Sequence, residues 1–408
     1  MRKDRHKKVR FKKRFFIIII VIAAVVFAFG RFGLPMIKGG STAEQQASNK
    51  VNISVSCAGD LVMHGPVLDA AKTKNGYDFT QSFRYLDPYI KDADMSFCSL
   101  EAPLVKSGYT GYPVFRSPDD LAYDLKDVGF DTVLTSSNHT NDAGERGIFR
   151  TIRVLKKAGL KVAGSRAKAD DPRYSITSVN GVKVAIVSYV YGGGNADNRD
   201  LNGNKMTAKA RECVNSFGYN TFNKDIKQIK ATVKAARKAG AGVVIMYYHW
   251  GNEYQTHSSA AQEKIARQTV KDTDVDVIVG SHPHVPQEKT VIAKKNSEGK
   301  TVKKVTVYYA MGNLLSNQRR EWMDGDVHTE EGYIVRLNIK YDKGKKKLVS
   351  LKSTTMPYWV DMAGSGPKKY TVIPLDKNYK NNKELSNSGN LGRATQAKKN
   401  INKILGSD

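Results

Sequence analysis

Val275-Asp-Val-Ile-Val-Gly-Ser-His-Pro-His-Val285 is the stretch from which the rest of the chain can be read. Val275–Val279, β-branched at four of its five positions, reads as a strand. It ends on Ser281, His282, Pro283 and His284. Proline holds the turn, and two imidazoles one residue apart can serve two neighbouring metal ions.

The same arrangement recurs on either side. A strand over Val243–Tyr248 ends at His249, and one over Val51–Ala58 ends at Gly59-Asp60. Met95–Leu100 ends at Glu101, Thr132–Ser136 at Asn138-His139, and Val305–Ala310 at Gly312-Asn313. Between them, helical spacing predicts helices over Phe83–Ile90, Asp119–Val128, Gly147–Ala158, Lys224–Ala239 and Ser259–Thr273. Asn180-Gly181 marks a hairpin joining 176–179 to 182–187, and Asp342-Lys343-Gly344 one joining 333–341 to 347–356. This alternation specifies an α/β layered fold with antiparallel additions.

In open α/β sheets, ligands bind beyond the carboxyl ends of the strands. Asp60, Glu101, Asn138, His139, His249, His282 and His284 all stand there. Two carboxylates and three imidazoles among them make a mixed oxygen and nitrogen set that suits a borderline divalent transition metal. Singly, each has an ordinary reading: Asp60 as a turn or cap residue, Glu101 as a surface acid, Asn138-His139 as a turn, His249 as a core histidine beside Trp250. Seven coincidences at strand ends favour a site. His64 is intermediate, within one turn of Asp60. His6, His257 and His328 lie in polar stretches.

The chain has 408 residues and a formal net charge of +27. Residues 1–50 hold 12 Lys and Arg against 2 Asp and Glu, a net +10, which leaves +17 beyond residue 50. The globular part is therefore basic in its own right, which nucleic acid, an anionic polymer or an anionic envelope surface could each explain, although lysines spread over many loops are more often a solvated surface. No nucleic-acid motif is visible, and no nucleic-acid partner is expected. Cys57, Cys98 and Cys213 are odd in number and lack C-x-x-C spacing, so buried thiols are expected.

Nine basic residues between Arg2 and Arg14 precede an apolar run from Phe15 to Phe29. A signal peptide competes with an anchor here. The Ile/Val/Phe-rich core and the lack of a small-x-small site after Gly30 favour an anchor. Its basic flank places the N-terminus in the cytoplasm and the main domain outside the cell. The expected organisation is a cytoplasmic tail (1–14), a single-pass transmembrane helix (15–37), a linker (38–50), one domain (51–375) and a polar tail (376–408). Partial disorder or a short surface helix is expected in that tail.

Six segments in order resemble the CapA/PgsA proteins of bacterial capsule and poly-γ-glutamate synthesis. They are Cys57-Ala-Gly-Asp-Leu-Val-Met63, Ser99-Leu-Glu-Ala-Pro-Leu104, Ser137-Asn-His-Thr-Asn-Asp142, His249-Trp-Gly-Asn-Glu-Tyr254, Gly280-Ser-His-Pro-His-Val285 and Tyr309-Ala-Met-Gly-Asn313. That family is related to calcineurin-like metallophosphoesterases. Ser99 stands where the family usually has Asn, Ser137 where phosphoesterases have Gly, and their Asp-x-His first motif is absent.

The resemblance implies a layered sandwich of the calcineurin-like metallophosphoesterase type and two divalent transition metal ions (Mn, Fe or Zn). Asp60, Glu101 and His284 would hold one, and Asn138, His249 and His282 the other, with Glu101 able to bridge. His139 would stand beside the ions as the catalytic acid to a leaving oxygen. The implied function is capsule or surface-polymer biosynthesis, with an anionic polymer or a phosphoester as substrate. A non-catalytic metal-binding subunit beside a polymer synthase or exporter is the alternative.

Overall fold

The computed structural model describes residues 49–324 and 328–406. The expected cytoplasmic tail, the transmembrane helix 15–37 and linker residues 38–48 lie outside the described residues. Among the described residues, no helix is long and apolar enough to cross a membrane.

The chain first lays down four parallel strands of one sheet: β1 (Lys50–Leu61), β2 (Met95–Leu100), β3 (Thr132–Leu134) and β4 (Lys161–Ala163). It then builds a second sheet from β5 (Ser175–Val179), β6 (Val182–Tyr191), β7 (Ser216–Phe217), β8 (Ala241–His249), β9 (Val277–Ser281), β10 (Lys289–Lys295) and β11 (Thr301–Tyr308). It returns to the first with β12 (Asn313–Leu315), β13 (Glu331–Asp342), β14 (Lys347–Met362) and β15 (Tyr370–Pro374). The first sheet runs β15-β14-β13-β1-β2-β3-β4, with β12 beside the far end of β1. The second runs β7-β6-β8-β9-β11-β10, with β5 on β6.

The two sheets face each other. Val55 and Cys57 of β1 and Leu337 and Ile339 of β13 share one buried cluster with Val184, Ile186, Val243, Ile245, Val277 and Val279 of the second sheet. Helices cover the outer faces. α1 (Gly65–Ala71), α2 (Asp120–Val128) and α3 (Gly144–Lys157) bury Leu68, Leu121, Leu125 and Leu155 on the first sheet. α4 (Phe222–Lys238) and α5 (Ala260–Asp272) bury Ile229, Val233, Ile265 and Val270 on the second. Strands covered on both faces must be apolar on both, hence the apolar runs Val243–Tyr248 of β8 and Val277–Val279 of β9. The expected α/β layered sandwich is the observed architecture, and all three cysteines are free and buried.

Three local expectations differ. The helix expected over 83–90 is broken into a 3-10 turn (Thr80–Phe83) and a single turn (Asp87–Ile90), because Pro88 begins a new helix. The strand expected to stop at Ala58 continues to Leu61, since Asp60 and Leu61 pair with both β2 and β12. The polar tail holds α6 (Leu391–Leu405), whose Ala394, Ala397, Ile401 and Leu405 are buried in the core between the sheets. Its apolar stripe is half alanine, so it is narrow in hydrophobicity yet correct in helical spacing.

Candidate metal centre

The parallel strands of both sheets end at the same place. Asp60 lies on β1, Glu101 follows β2, and Asn138 and His139 follow β3. His249 closes β8, while His282 and His284 follow β9. All seven predicted residues are buried there, His139 least so at 7% exposed.

Asp60 owes its position to a register shift in β1 between Cys57 and Asp60, which re-aims the chain at its end. One Asp60 oxygen accepts the backbone N–H of His282 at 2.9 Å, and the other accepts the Tyr247 hydroxyl at 3.3 Å. This carboxylate thus ties the first sheet to the turn after the second. Within that turn His282 has φ +102° and His284 φ +61°, conformations that L-residues rarely adopt and that surrounding structure must hold.

The donor atoms converge on Glu101. His249 Nε2 is 3.0 Å from Glu101 Oε1 and 2.8 Å from Asn138 Oδ1, while His284 Nε2 is 3.9 Å from Glu101 Oε2. Two triads have ligand atoms lying within 4.8 Å of one another and share this glutamate: Asp60, Glu101, His284 and Glu101, His249, His282. The His249 and His282 rings are 4.8 Å apart. The His284 Nδ1–H donates to Asn313 Oδ1 at 2.8 Å, which leaves Nε2 as the lone pair facing Glu101.

The electrostatics follow from burial. Burial alone would push the Glu101 carboxyl up, but the His249 and His284 imidazoles outweigh it and hold it well below the usual carboxylate range. Asp60 is pushed up to about 6 by burial and then by the Glu101 charge. His282 is held far below the ordinary imidazole value by burial and then by His249 and His284. For His284, burial opposes protonation, but Glu101 and Asp60 raise its affinity for a proton above the ordinary value. An ionised carboxylate and a neutral imidazole are the forms that bind metal.

The residues fit a cation. Neither Glu101 oxygen accepts a hydrogen bond of ordinary geometry, and His282 Nδ1 has no hydrogen-bond partner among the described residues. A buried, ionised and unsatisfied carboxylate costs several kcal/mol. Convergent nitrogen and oxygen donors supply what an ion needs and what a hydrogen-bond network lacks.

His139 lies to one side. Its Nδ1 is 2.8 Å from Asp142 Oδ2, its ring meets Phe115 edge-on at 4.5 Å, and its Nε2 is 3.4 Å from Asn202 Nδ2. Neighbouring Asn138 instead turns its oxygen to His249, so the two adjacent side chains have different partners. Among the described residues, His64 joins no ligand triad. Its ring packs on Phe115 at 5.3 Å, and burial, with His284 next, lowers its pKa to about 4. His257 is on the surface, and His328 pairs with Glu331 at 2.9 Å.

The structure adds residues that the sequence reading did not single out. Exposed Glu253 forms a third triad with His282 and His284. Asp142 holds the His139 ring and also accepts the Phe115 backbone N–H at 2.7 Å. Asn313 orients His284, and Tyr247 and Asn202 supply polar contacts. Glu253, Asp142 and Asn313 lie inside the family-like segments, so their neighbourhood was the available signal.

Residues 54–318 match the model of the family described as Bacterial capsule synthesis protein PGA_cap. The chain belongs to this family. It is 26% identical over 297 residues to "Capsule biosynthesis protein CapA" of Bacillus anthracis, a match covering 71% of this chain and 64% of that protein's length. It is 25% identical over 345 residues to "PGA biosynthesis protein CapA" of Bacillus subtilis, covering 82% and 79%. Among solved structures it is similar to the calcineurin-like phosphoesterase YfkN from Bacillus subtilis, with 14% identity, a TM-score of 0.41, and coverage of 84% of this chain and 99% of that one. It is also similar to a phosphatase from Mycoplasma pneumoniae, with 14% identity, a TM-score of 0.38, and coverage of 82% and 99%.

Proposed function

We propose that this member of the capsule-synthesis family is a membrane-anchored surface-polymer biosynthesis protein of the poly-γ-glutamate type. Its strand-end centre holds two divalent transition metal ions (Mn, Fe or Zn) and hydrolyses a phosphoester or an anionic polymer. The N-terminal helix crosses the membrane once, with the main domain outside the cell.

One observation carries the catalytic part: Glu101 is buried, unsatisfied and shared by two ligand triads. In this reading Asp60, Glu101 and His284 hold one ion, and Glu101, His249, His282 and Asn138 the other. When bound, the ions supply Lewis-acid polarisation and neutralise charge at a transferring group. The chain's own residues do the rest. Tyr247 and the His282 N–H fix the two oxygens of Asp60, and Asn313 fixes the tautomer of His284. Asp142 orients His139 through Nδ1, and Nε2, which faces the Asn202 amide N–H at 3.4 Å, would deliver a proton to a leaving oxygen that takes the place of that amide.

A second reading, a metal-binding scaffold subunit of a polymer synthesis and export complex, is favoured by the relatives, which are described by biosynthesis alone. His139 separates the two. As a general acid, His139→Ala should retain wild-type metal content and lose roughly 10²–10⁴-fold in rate. The loss should be smaller for a p-nitrophenyl ester, whose leaving group needs no proton. The test assays the full chain on phosphomonoesters, phosphodiesters and polymer, and complements capsule-deficient cells with His139→Ala and Asp60→Ala. Normal capsule from His139→Ala, together with no hydrolysis by the wild type, would overturn the enzyme reading.

A further inference from the structure

The end of the sandwich opposite the metal centre is a basic pole built around the point where the chain enters. Asn49 O accepts the backbone N–H of Lys343 at 2.8 Å, so the chain before residue 49 joins the domain at the β13–β14 turn. That turn carries Lys343, Lys345, Lys346 and Lys347, all exposed. The Lys343 side chain reaches over the neighbouring Asn180-Gly181 turn, where its Cδ lies 3.6 Å from a Cβ position built on Gly181. The next lysine, Lys183, donates to the carbonyl of Ala239 at 2.9 Å, directly after Lys238 at the end of α4. The lysines therefore run from the first sheet to the second, past the Asp94 carboxylate that accepts from Asn180 Nδ2 at 3.1 Å. None of these six lysines makes an ion pair within 4.0 Å among the described residues.

We infer that this pole is a docking surface for an anionic lipid bilayer, which seats the domain with its metal centre facing away from the membrane. The inference rests on the anchored topology proposed above. Two observations select the occupant. The patch surrounds the entry of the chain whose preceding segment is read as the anchor, so a bilayer is the surface held next to it. Its unpaired lysines also complement anionic headgroups, to which each nearby lysine adds about fivefold in attachment at moderate ionic strength. The geometry then sets a distance. Ten residues of β1 separate Lys50 from Asp60, about 33 Å at strand rise. Seated on this pole, the centre opens into the space beyond the membrane, where a growing surface polymer lies.

The test is lysine acetylation footprinting of the full chain in lipid nanodiscs, read residue by residue by mass spectrometry. Discs of phosphatidylcholine alone are compared with discs containing phosphatidylglycerol. Lys343, Lys345, Lys346, Lys347, Lys183 and Lys238 should react several-fold more slowly in the anionic discs. Lys72 and Lys264, on other surfaces, should not change. High salt should abolish the difference, because screening shortens to about 3 Å at 1 M. Replacing the four turn lysines by Glu should abolish slowing at Lys183 and Lys238 as well. Equal rates in both discs, or uniform slowing of every lysine, would overturn the inference. So would equal protection by soluble poly-γ-glutamate without lipid, which would make the surface a polymer site. The anchor is read separately, by whether the chain stays with neutral discs in high salt. If it leaves, the anchor reading fails, and the same footprint with added phosphatidylglycerol vesicles still decides the fate of the pole.

Discussion

Gly59 has no room for a side chain. A Cβ there would stand 1.9 Å from the carbonyl oxygen of Gly312, and the same close approach gives the Asp60 N–H its 3.2 Å bond to that oxygen. Gly59→Ala must therefore displace either β1 or the strand beside it, one residue from a metal-ligand candidate. It should cost about 1–3 kcal/mol, in the range of overpacked sites, and reduce metal content. Gly65→Ala meets nothing within 4 Å and is the control. Thermal unfolding of both variants reads the difference, and a Gly59→Ala protein with wild-type Tm would contradict this account of the strand end. At this scale the sequence was informative because metal-ligand residue types are few and each stood after an apolar run. Glu253 and Asp142 were not singled out, since an exposed acid and an acid in a turn look ordinary until the chain brings histidines to them.

Elements carry their own electrostatics. Asp124 of α2 is half-buried, and its Oδ2 accepts the Phe79 backbone N–H at 2.7 Å. Burial, followed by the charges of Asp78, Asp120 and Asp127, raises its pKa from 3.8 to about 6 against the opposing pull of that hydrogen bond. The folded chain therefore holds this proton more tightly than the unfolded chain, and stability falls as pH rises from about 4 to about 6. Asp124→Asn keeps an oxygen acceptor and has no charge to bury. Its unfolding free energy should exceed that of the wild type at pH 7 by about 1–2 kcal/mol after allowing for solvent screening, read as a higher Tm, and the gap should close towards pH 4. A gap independent of pH would remove Asp124 as its cause. Long β-branched strands were legible because burial on both faces demands them. α6 was not: alanines give its buried stripe little hydropathy, and Asn and Lys dominate the rest. β10 was also missed, its Lys-rich alternation being that of a half-exposed edge.

For the whole molecule, the sequence implied that strand ends would meet but not which sheet each belonged to. Asp60, Glu101 and Asn138 come from the first sheet, and His249, His282 and His284 from the second. Strand order is set by pairing between segments far apart in sequence, such as β1 with β13, and no local pattern records it. The centre is thus a product of the sandwich. It is held together by Asp60 accepting from His282 across the sheets and by Glu101 meeting His249 and His284. The central claim is that Glu101 is buried here to hold metal. Elemental analysis of the purified full chain tests it most directly, comparing the wild type with Glu101→Gln and His282→Ala. The wild type should carry between one and two equivalents of a transition metal, as a two-ion site requires, and both variants should lose most of it while remaining folded by circular dichroism. A metal-free wild type, or unchanged metal content in both variants, would contradict the account.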